Sequence, residues 1–277
     1  MTKIKKLLLY PVLILAMIGF MFPFIVLLIN AFKSNAEIIN TPLSLPTSIG
    51  FDNFRIAMDY MHYFSNFKNS LIITVISILF ILLFSSMAAY YFVRHDTKIN
   101  KFWFFMMIAA MIIPFQSIMI PMVSIYGRIL GFIQSQPIIT LIFMYIGFGA
   151  PLAIFMYHGF IKGIPPELED AAIIDGCNQR QTFMRVVFPL LMPISITIGL
   201  LDILWIWNDY LLPSLILQNA GAGNVTLPIA IRVFHTAYTS DYEKFLPALL
   251  LVILPILVVY IFAQRLILEG VTKGAIK

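Results

Sequence analysis

The stretch Phe67–Val93 reads FKNSLIITVISILFILLFSSMAAYYFV, and Lys68 is its one charged residue. An apolar run of this length exceeds the ~20 residues a helix needs to cross the hydrocarbon core of a bilayer. Comparable runs occupy about Leu7–Phe32, Phe102–Tyr126, Ile138–Phe160, Leu190–Leu217 and Phe245–Leu268. Six such spans use up most of the 277 residues and leave no room for a soluble domain. Composition agrees: 11% of residues are charged and 61% hydrophobic, and the mean hydropathy is +0.94. A soluble domain carries about 25% charged residues. The ten-residue alternation of a membrane β-barrel is absent. The expectation is one all-α polytopic domain over 1–277, with six transmembrane helices.

Charge asymmetry sets the orientation. Lys3, Lys5, Lys6, Arg94, Lys98, Lys101, Lys162, Arg180, Arg185, Arg265, Lys273 and Lys277 fall in one set of alternate loops, twelve in all. The other set holds six: Lys33, Arg55, Lys68, Arg128, Arg232 and Lys244. The richer set is expected to face the cytoplasm, so both termini lie inside and the long connections 33–66 and 218–244 lie outside. The first run is longer than a signal-peptide core and no small-residue cleavage site follows it, so it reads as a retained span. The net charge of +5 then reflects topology and attraction to anionic lipid. The basic residues are dispersed rather than clustered on one face, which gives nucleic-acid binding no support. Cys177 is the only cysteine, so no intramolecular disulfide can form.

Against this apolar background the segment 163–189 is unusual. Glu167, Glu169, Asp170 and Asp175 place four of the thirteen acidic residues within nine positions. A charged segment between membrane spans is where a membrane protein meets a soluble partner. Pro165 and Pro166 suit a helix's first turn, the acidic residues there favour its positive end, and Gly176 is placed for a left-handed cap. The resulting helix of about ten residues is too short to stand alone in water. Leu168, Ala171, Ala172 and Asp175 share a face by spacing, and the paired alanines would let another backbone approach closely. Arg180, Phe183, Arg185, Val186 and Val187 continue as a second helical stretch, and Pro189 marks entry to the fifth span.

Within the fifth span, Asp202 and Asp209 are seven apart and so expected on one helix face. Charges inside a span are costly and usually face the bundle interior or an aqueous path. Trp205, Trp207 and Asn208 would supply stacking and hydrogen bonds to a polar solute. A plainer reading puts Asp209 at the outer interface with Trp207 as an interfacial anchor. Gln116 and Ser117, beside Pro114 and near Pro121, mark a broken helix whose freed carbonyls would line a cavity; a kink without function is the alternative. Outside the membrane, Asn219-Ala220-Gly221-Ala222-Gly223-Asn224 reads as flexible by composition, and Leu227–Tyr238 as a short amphipathic helix along the interface.

Enzyme chemistry finds no footing. There is no GxxxxGK[ST] loop for phosphate and no G-x-S-x-G or HExxH arrangement. His62, His95, His158 and His235 are scattered, so no metal site is expected. An autonomous secondary transporter is the rival from another class, but the paired interrupted helices of an inverted repeat are not evident.

The pattern Glu169-Asp170-Ala171-Ala172-x-x-Asp175-Gly176, with Phe183 and Pro189-Leu190-x-x-Pro193, resembles the EAA loop of ABC importer permeases. It is most similar to the carbohydrate-importer branch, in its six-span MalG-type subunit with the MetI-like permease fold. Trp207-Asn208-Asp209-Tyr210-Leu211-x-Pro213 resembles a fifth-span signature of sugar permeases, and Gln264-Arg265 with Gly270-Val271-x-x-Gly274-Ala275 their cytoplasmic tail. Two positions depart from the pattern: Asp170 stands where the family has Glu, and Cys177 where it has a small residue.

The resemblance implies a permease subunit of a sugar importer in a bacterial cytoplasmic membrane, paired with a second, related permease in a heterodimer. It implies two copies of a cytoplasmic ATPase, which bind ATP and Mg²⁺ so that this chain carries no cofactor. Glu167, Glu169, Asp170, Ala171, Ala172, Asp175 and Gly176 would form the coupling helix seated on that ATPase. A solute-binding protein would dock outside, with Asn219, Gly221, Gly223 and Asn224 as contact candidates. Asp202, Trp205, Asn208 and Asp209 would be candidates for the translocation path. A permease for another solute class remains the alternative within the family.

Overall fold

The computed structural model describes the backbone of residues 3–234 and 241–275 and the side chains of 9–234 and 241–264. The described residues are almost all helical. Four unbroken helices are long and apolar enough to cross a membrane: Leu9–Asn30, Tyr63–Arg94, Pro137–Ile161 and Tyr242–Gln264. Two further pairs qualify if each bent pair counts as one span, which makes six.

The first bend falls where Pro114 marks a broken helix within Phe102–Tyr126, and the second at the span entry marked by Pro189. The first pair is Lys98–Ala110 with Phe115–Ile129, bent by 98°. Pro114 causes the break, because it lacks an N–H and pushes the residue before it out of helical geometry; its own backbone is extended, with ψ at 134°. Gln116 and Ser117 are exposed just beyond. The second pair, Gln179–Leu190 with Met192–Asn208, bends by 72° at Leu191. Pro189 and Pro193 sit in the first turns of the helices flanking that break. Its membrane portion is only 17 residues long, about 26 Å, and a separate short helix, Leu211–Ile216, follows it.

The core is built on the second and fourth spans, Tyr63–Arg94 against Pro137–Ile161. In lipid the hydrophobic effect does not drive helices together, so close packing through small residues must do so. Ser77, Ser85, Ser86 and Ala89 are buried along the second span, and Gly149 lies opposite on the fourth. A Cβ on Gly149 would sit 2.6 Å from Ile81 Cδ1, and Ile81 has no exposed surface through which to yield. The fifth span joins through Tyr157, whose hydroxyl lies 2.7 Å from Ser195 Oγ. Trp207 anchors the sixth: its indole N–H donates to Val252 O at 3.3 Å and its ring meets Phe67 edge-on. Trp207 therefore packs inside the bundle instead of serving as an interfacial anchor.

The outer connections are tied down, contrary to the flexible reading of 219–224. Asn66, at the start of the second span, donates to Ala222 O at 2.9 Å and accepts from Val225 N at 3.1 Å. Ser65 donates to Gly223 O at 2.6 Å, and Leu227 N donates to Ser70 Oγ at 2.9 Å. Composition registers only the loop's own glycines and misses the polar side chains that capture its backbone. The helix read over Leu227–Tyr238 spans only Leu227–Ala230 and then tightens to a 3₁₀ turn at Ile231–Phe234. Leu227, Ile229, Ala230 and Phe234 are buried, so it is part of the core rather than an interfacial helix; 235–240 lie outside the described residues. The 33–66 connection is also pinned: Asn30 donates to Pro42 O, Lys33 Nζ to Thr41 O, and Glu243 N on the last helix to Asn35 Oδ1.

Gly149→Ala is expected to destabilise the protein by about 1–3 kcal/mol, the usual cost of overpacking. That loss shows as a lower unfolding midpoint of the purified protein. Adding Ile81→Val to the same variant, which removes only the Cδ1 atom 2.6 Å from the new methyl, should recover part of it.

Candidate functional site

The acidic segment folds into one short helix, Glu167–Ile174. Its free N–H groups turn back onto the two prolines: Leu168 N donates to Pro165 O at 3.4 Å, and Glu169 N and Asp170 N to Pro166 O at 2.9 and 3.1 Å. At the other end Gly176 has φ +90°, the left-handed conformation an L side chain rarely adopts. Gly176 N donates to Ile173 O and Cys177 N to Ala172 O, both at 3.0 Å. This pair of bonds is the Schellman closure. No atom lies within 4 Å of a Cβ at Gly176, so the constraint there is the backbone angle alone. Asn178 then caps the next helix through a capping box with Gln181.

The two faces of the helix differ. Glu167, Asp170, Ala171 and Ile174, at i, i+3, i+4 and i+7, are exposed. Ile174, 85% exposed, adds apolar surface there, and Leu168 and Ile173 are exposed on either flank of that face. The inner face is Glu169 and Ala172, at i and i+3, and both are buried. The face read from spacing as Leu168, Ala171, Ala172 and Asp175 is thus corrected by about one residue of rotation: Ala172 packs inward. Glu169 likewise leaves the set available to a partner, because its carboxylate turns into the bundle.

Glu169 meets the last turn of the second span. Arg94 Nε and Nη2 reach Glu169 Oε1 at 2.7 and 2.6 Å, and Tyr90 OH donates to Oε2 at 2.6 Å. The same guanidinium donates through Nη2 to Ile164 O at 3.1 Å, holding the segment that leads into the helix. The Tyr90 ring lies 5.1 Å from that of Phe183, on the following helix. One buried carboxylate, one arginine and one tyrosine therefore clamp both sides of the acidic loop to the second span. Removing one partner of a buried pair costs roughly 3–5 kcal/mol, because the other charge is left uncompensated.

Sequence reading missed this anchor. Arg94 entered only as a count in the topology, and Tyr90 drew no notice in an aromatic-rich run. Their i, i+4 spacing at the end of a span, facing an acidic loop, was the available signal.

The fifth-span candidates separate in space. The helix ends at Asn208, so Asp209 does not share a helix face with Asp202. Asp209 instead caps the next short helix: Oδ1 accepts from Leu211 N at 3.0 Å and Oδ2 from Tyr145 OH at 3.0 Å. The Tyr145 ring meets Trp205 edge-on at 5.5 Å, which brings Trp205 and Asp209 together through a residue the sequence did not flag. Asp202 is 4% exposed, and its Oδ2 has no hydrogen-bond partner among the described residues. Asn208 is exposed and donates to Leu204 O of its own helix at 2.7 Å. Leu201, Trp205 and Asn208 form an uncovered strip along this span. Outside, Asn219, Gly221 and Asn224 are exposed and Gly223 half-buried, on a loop fixed by Ser65, Asn66 and Asn69.

Residues 81–268, from within the second span to the sixth, match the family described as binding-protein-dependent transport system inner membrane component. The chain belongs to that family. It is 42% identical over 255 residues, 92% of this chain and 91% of the relative, to the probable starch degradation products transport system permease protein AmyC of Thermoanaerobacterium thermosulfurigenes. It is 33% identical over 272 residues, 97% of this chain and 96% of the relative, to the multiple sugar-binding transport system permease protein MsmG of Streptococcus mutans. A crystal structure of a bacterial ABC transporter involved in import of the acidic polysaccharide alginate shares the fold, with a TM-score of 0.79, 19% identity and coverage of 95% of this chain and 96% of that one. As a member of this family the chain is a membrane-embedded permease subunit of an ABC importer and not an enzyme. ATP hydrolysis resides in a partner ATPase, and a solute-binding protein is a further partner.

The clamp predicts a graded series. Tyr90→Phe removes one hydrogen bond to a charged group, worth roughly 1.5–3 kcal/mol; Arg94→Leu strands the Glu169 carboxylate and costs more. Protease cleavage within 163–189 of the purified protein should accelerate in the order wild type, Tyr90→Phe, Arg94→Leu, while cleavage in 218–227 stays constant.

Proposed function

We propose that this chain forms half of the translocation pathway of a sugar importer, with oligosaccharides as the substrate class, and that it receives the ATPase stroke through the Glu167–Ile174 helix. The observation that carries the reading is the division of that helix into an inner face bonded to the second span and an outer face left open. A helix of eight residues is unstable alone in water, and exposed Leu168, Ile173 and Ile174 form an apolar surface that a soluble partner would cover. Glu167, Asp170, Ala171 and Asp175 surround that surface with short acidic and small side chains. Two ATPase copies bind ATP and Mg²⁺ on this reading, and this chain supplies none of the nucleotide chemistry.

The other half of the pathway is a different but related permease. The strip of Leu201, Trp205 and Asn208 faces it across the pathway, and Trp205 offers a ring on which a pyranose can stack. Asp202 lies deeper, as a buried acid beside the path. Sugar specificity rests on the relatives, both of which carry permease names tied to carbohydrates. The solute-binding protein docks on the outer loop around Asn219, Gly221, Gly223 and Asn224, and the bonds from Ser65, Asn66 and Asn69 give it a fixed surface.

The test is reconstitution with the partner permease, the ATPase and the binding protein in lipid vesicles. Maltooligosaccharide-loaded binding protein is expected to raise ATP hydrolysis and to drive sugar uptake, whereas amino-acid or dipeptide loads leave both at baseline. Stimulation by those other solutes alone would overturn the sugar reading. In the same vesicles Gly176→Pro or Ala171→Arg should leave the chain membrane-inserted yet cut uptake by tenfold or more. Normal uptake by both variants would remove the helix from the coupling role. Asp202→Asn should lower uptake without altering basal ATP hydrolysis.

A further inference from the structure

A cavity of about 470 Å³ opens where the second, third and fourth spans meet the same face, and of its lining only Arg94 enters the coupling reading. Its polar wall carries Arg94, Lys101 and Lys162, with Asn100 and the single acid Asp96; its apolar wall carries Phe92, Phe104 and Phe105. It belongs to the end of the bundle with twelve of the eighteen Lys and Arg residues, and so to the depth of the cytoplasmic headgroups. Phe105 of its wall is 63% exposed, and Phe102 and Trp103 on the same helix are at least half exposed, aromatic residues of the kind found at that level.

Two of the cations are not committed to the fold. Lys101 reaches Asp96 at 3.0 Å, but both side chains are more than half exposed, so that pair contributes little. Lys162 is exposed and makes no ion pair among the described residues. Arg94 presents one side to the Glu169 clamp and another to the cavity. The floor is rigid, since the Phe104 ring stacks on His158 at 3.8 Å and Asn100 donates to His95 O at 2.6 Å.

We propose that this cavity binds the phosphodiester headgroup of an anionic phospholipid from the inner leaflet. The phosphate is held by Lys101 and Lys162 with Arg94 behind them, and the glycerol and upper acyl carbons lie along Phe104 and Phe105. A soluble anion would use the same cations but would gain nothing from the aromatic wall, and a basic pocket between spans on this side is the general form of a lipid headgroup site. The proposal concerns lipid alone and stands whether or not the transported solute is a sugar.

The experiment is native mass spectrometry of the full transporter complex after exchange into mixed micelles of phosphatidylglycerol and phosphatidylethanolamine. Each lysine near an anionic headgroup is worth roughly fivefold in affinity. Lys101→Ala with Lys162→Ala should therefore weaken phosphatidylglycerol retention by about 25-fold and leave phosphatidylethanolamine retention unchanged. Asp96→Asn, which removes the one negative charge in the cavity, should raise phosphatidylglycerol retention. All of these side chains are exposed or half-exposed, so folding is not at stake. Equal phosphatidylglycerol retention by wild type and the double variant would overturn the site. Displacement of the lipid by millimolar inorganic phosphate would overturn the lipid assignment in favour of a soluble anion; no displacement is expected.

Discussion

The contact between Glu169 and the Arg94–Tyr90 pair decides what the cytoplasmic helix can do. Two turns of helix with a proline entry and a glycine exit have no stability of their own. What gives the helix a fixed position is one carboxylate held by two hydrogen bonds and an ion pair to the end of the second span. That span in turn packs closely against the fourth, where Gly149 faces Ile81. A displacement applied to the outer face of the helix therefore reaches the bundle centre through bonded and packed groups, without a slack joint. The same reasoning explains why Glu169 is turned inward although acidic residues on such a loop are expected to meet the partner: an acid facing out would leave only the packing of Ala172 to hold the inner face.

The second consequence is a division of labour along the second span. Its cytoplasmic end grips the acidic loop through Tyr90 and Arg94, its middle is smooth with serine and alanine, and its outer end captures the backbone of the opposite loop through Ser65, Asn66, Asn69 and Ser70. A single helix thus links the two faces of the membrane. In lipid, where apolar contact between helices has no advantage over contact with acyl chains, these polar bonds and the close Gly149 approach are the interactions able to fix relative positions.

Much of the fold was legible because the bilayer imposes a strong rule: a helix that crosses must satisfy its backbone internally and be apolar for its whole length. The runs around Phe67–Val93 and Ile138–Phe160 show this directly. The breaks beside Pro114 and Pro189 were legible from the prolines, but their angles of 98° and 72° were not, since a broken span keeps its hydropathy while losing its axis. The acidic helix was legible in its ends, Pro166 and Gly176, because caps are local chemistry. Its facing was misjudged, because the side that is buried is set by Arg94, seventy-five residues earlier. The loop at 219–224 failed for the same reason: glycine content describes what a chain can do alone, and Asn66 lies on another element. Asp209 was misplaced because nothing local marks Asn208 as the last helical residue, and only Tyr145 and the Leu211 amide reveal its capping role.

Held by the Glu169 clamp, the cytoplasmic helix and the second span are expected to move as one body. Spin labels at Ile174 and Met87, both exposed, in a Cys177→Ser background allow the separation between them to be measured by electron–electron double resonance in the assembled transporter. One narrow distance, the same without nucleotide and with the ATPase trapped in its ATP-bound state, is the result expected. A shift of several ångströms between the two states, or a broad distribution in either, would show that the helix pivots on the bundle and that the clamp does not transmit the stroke.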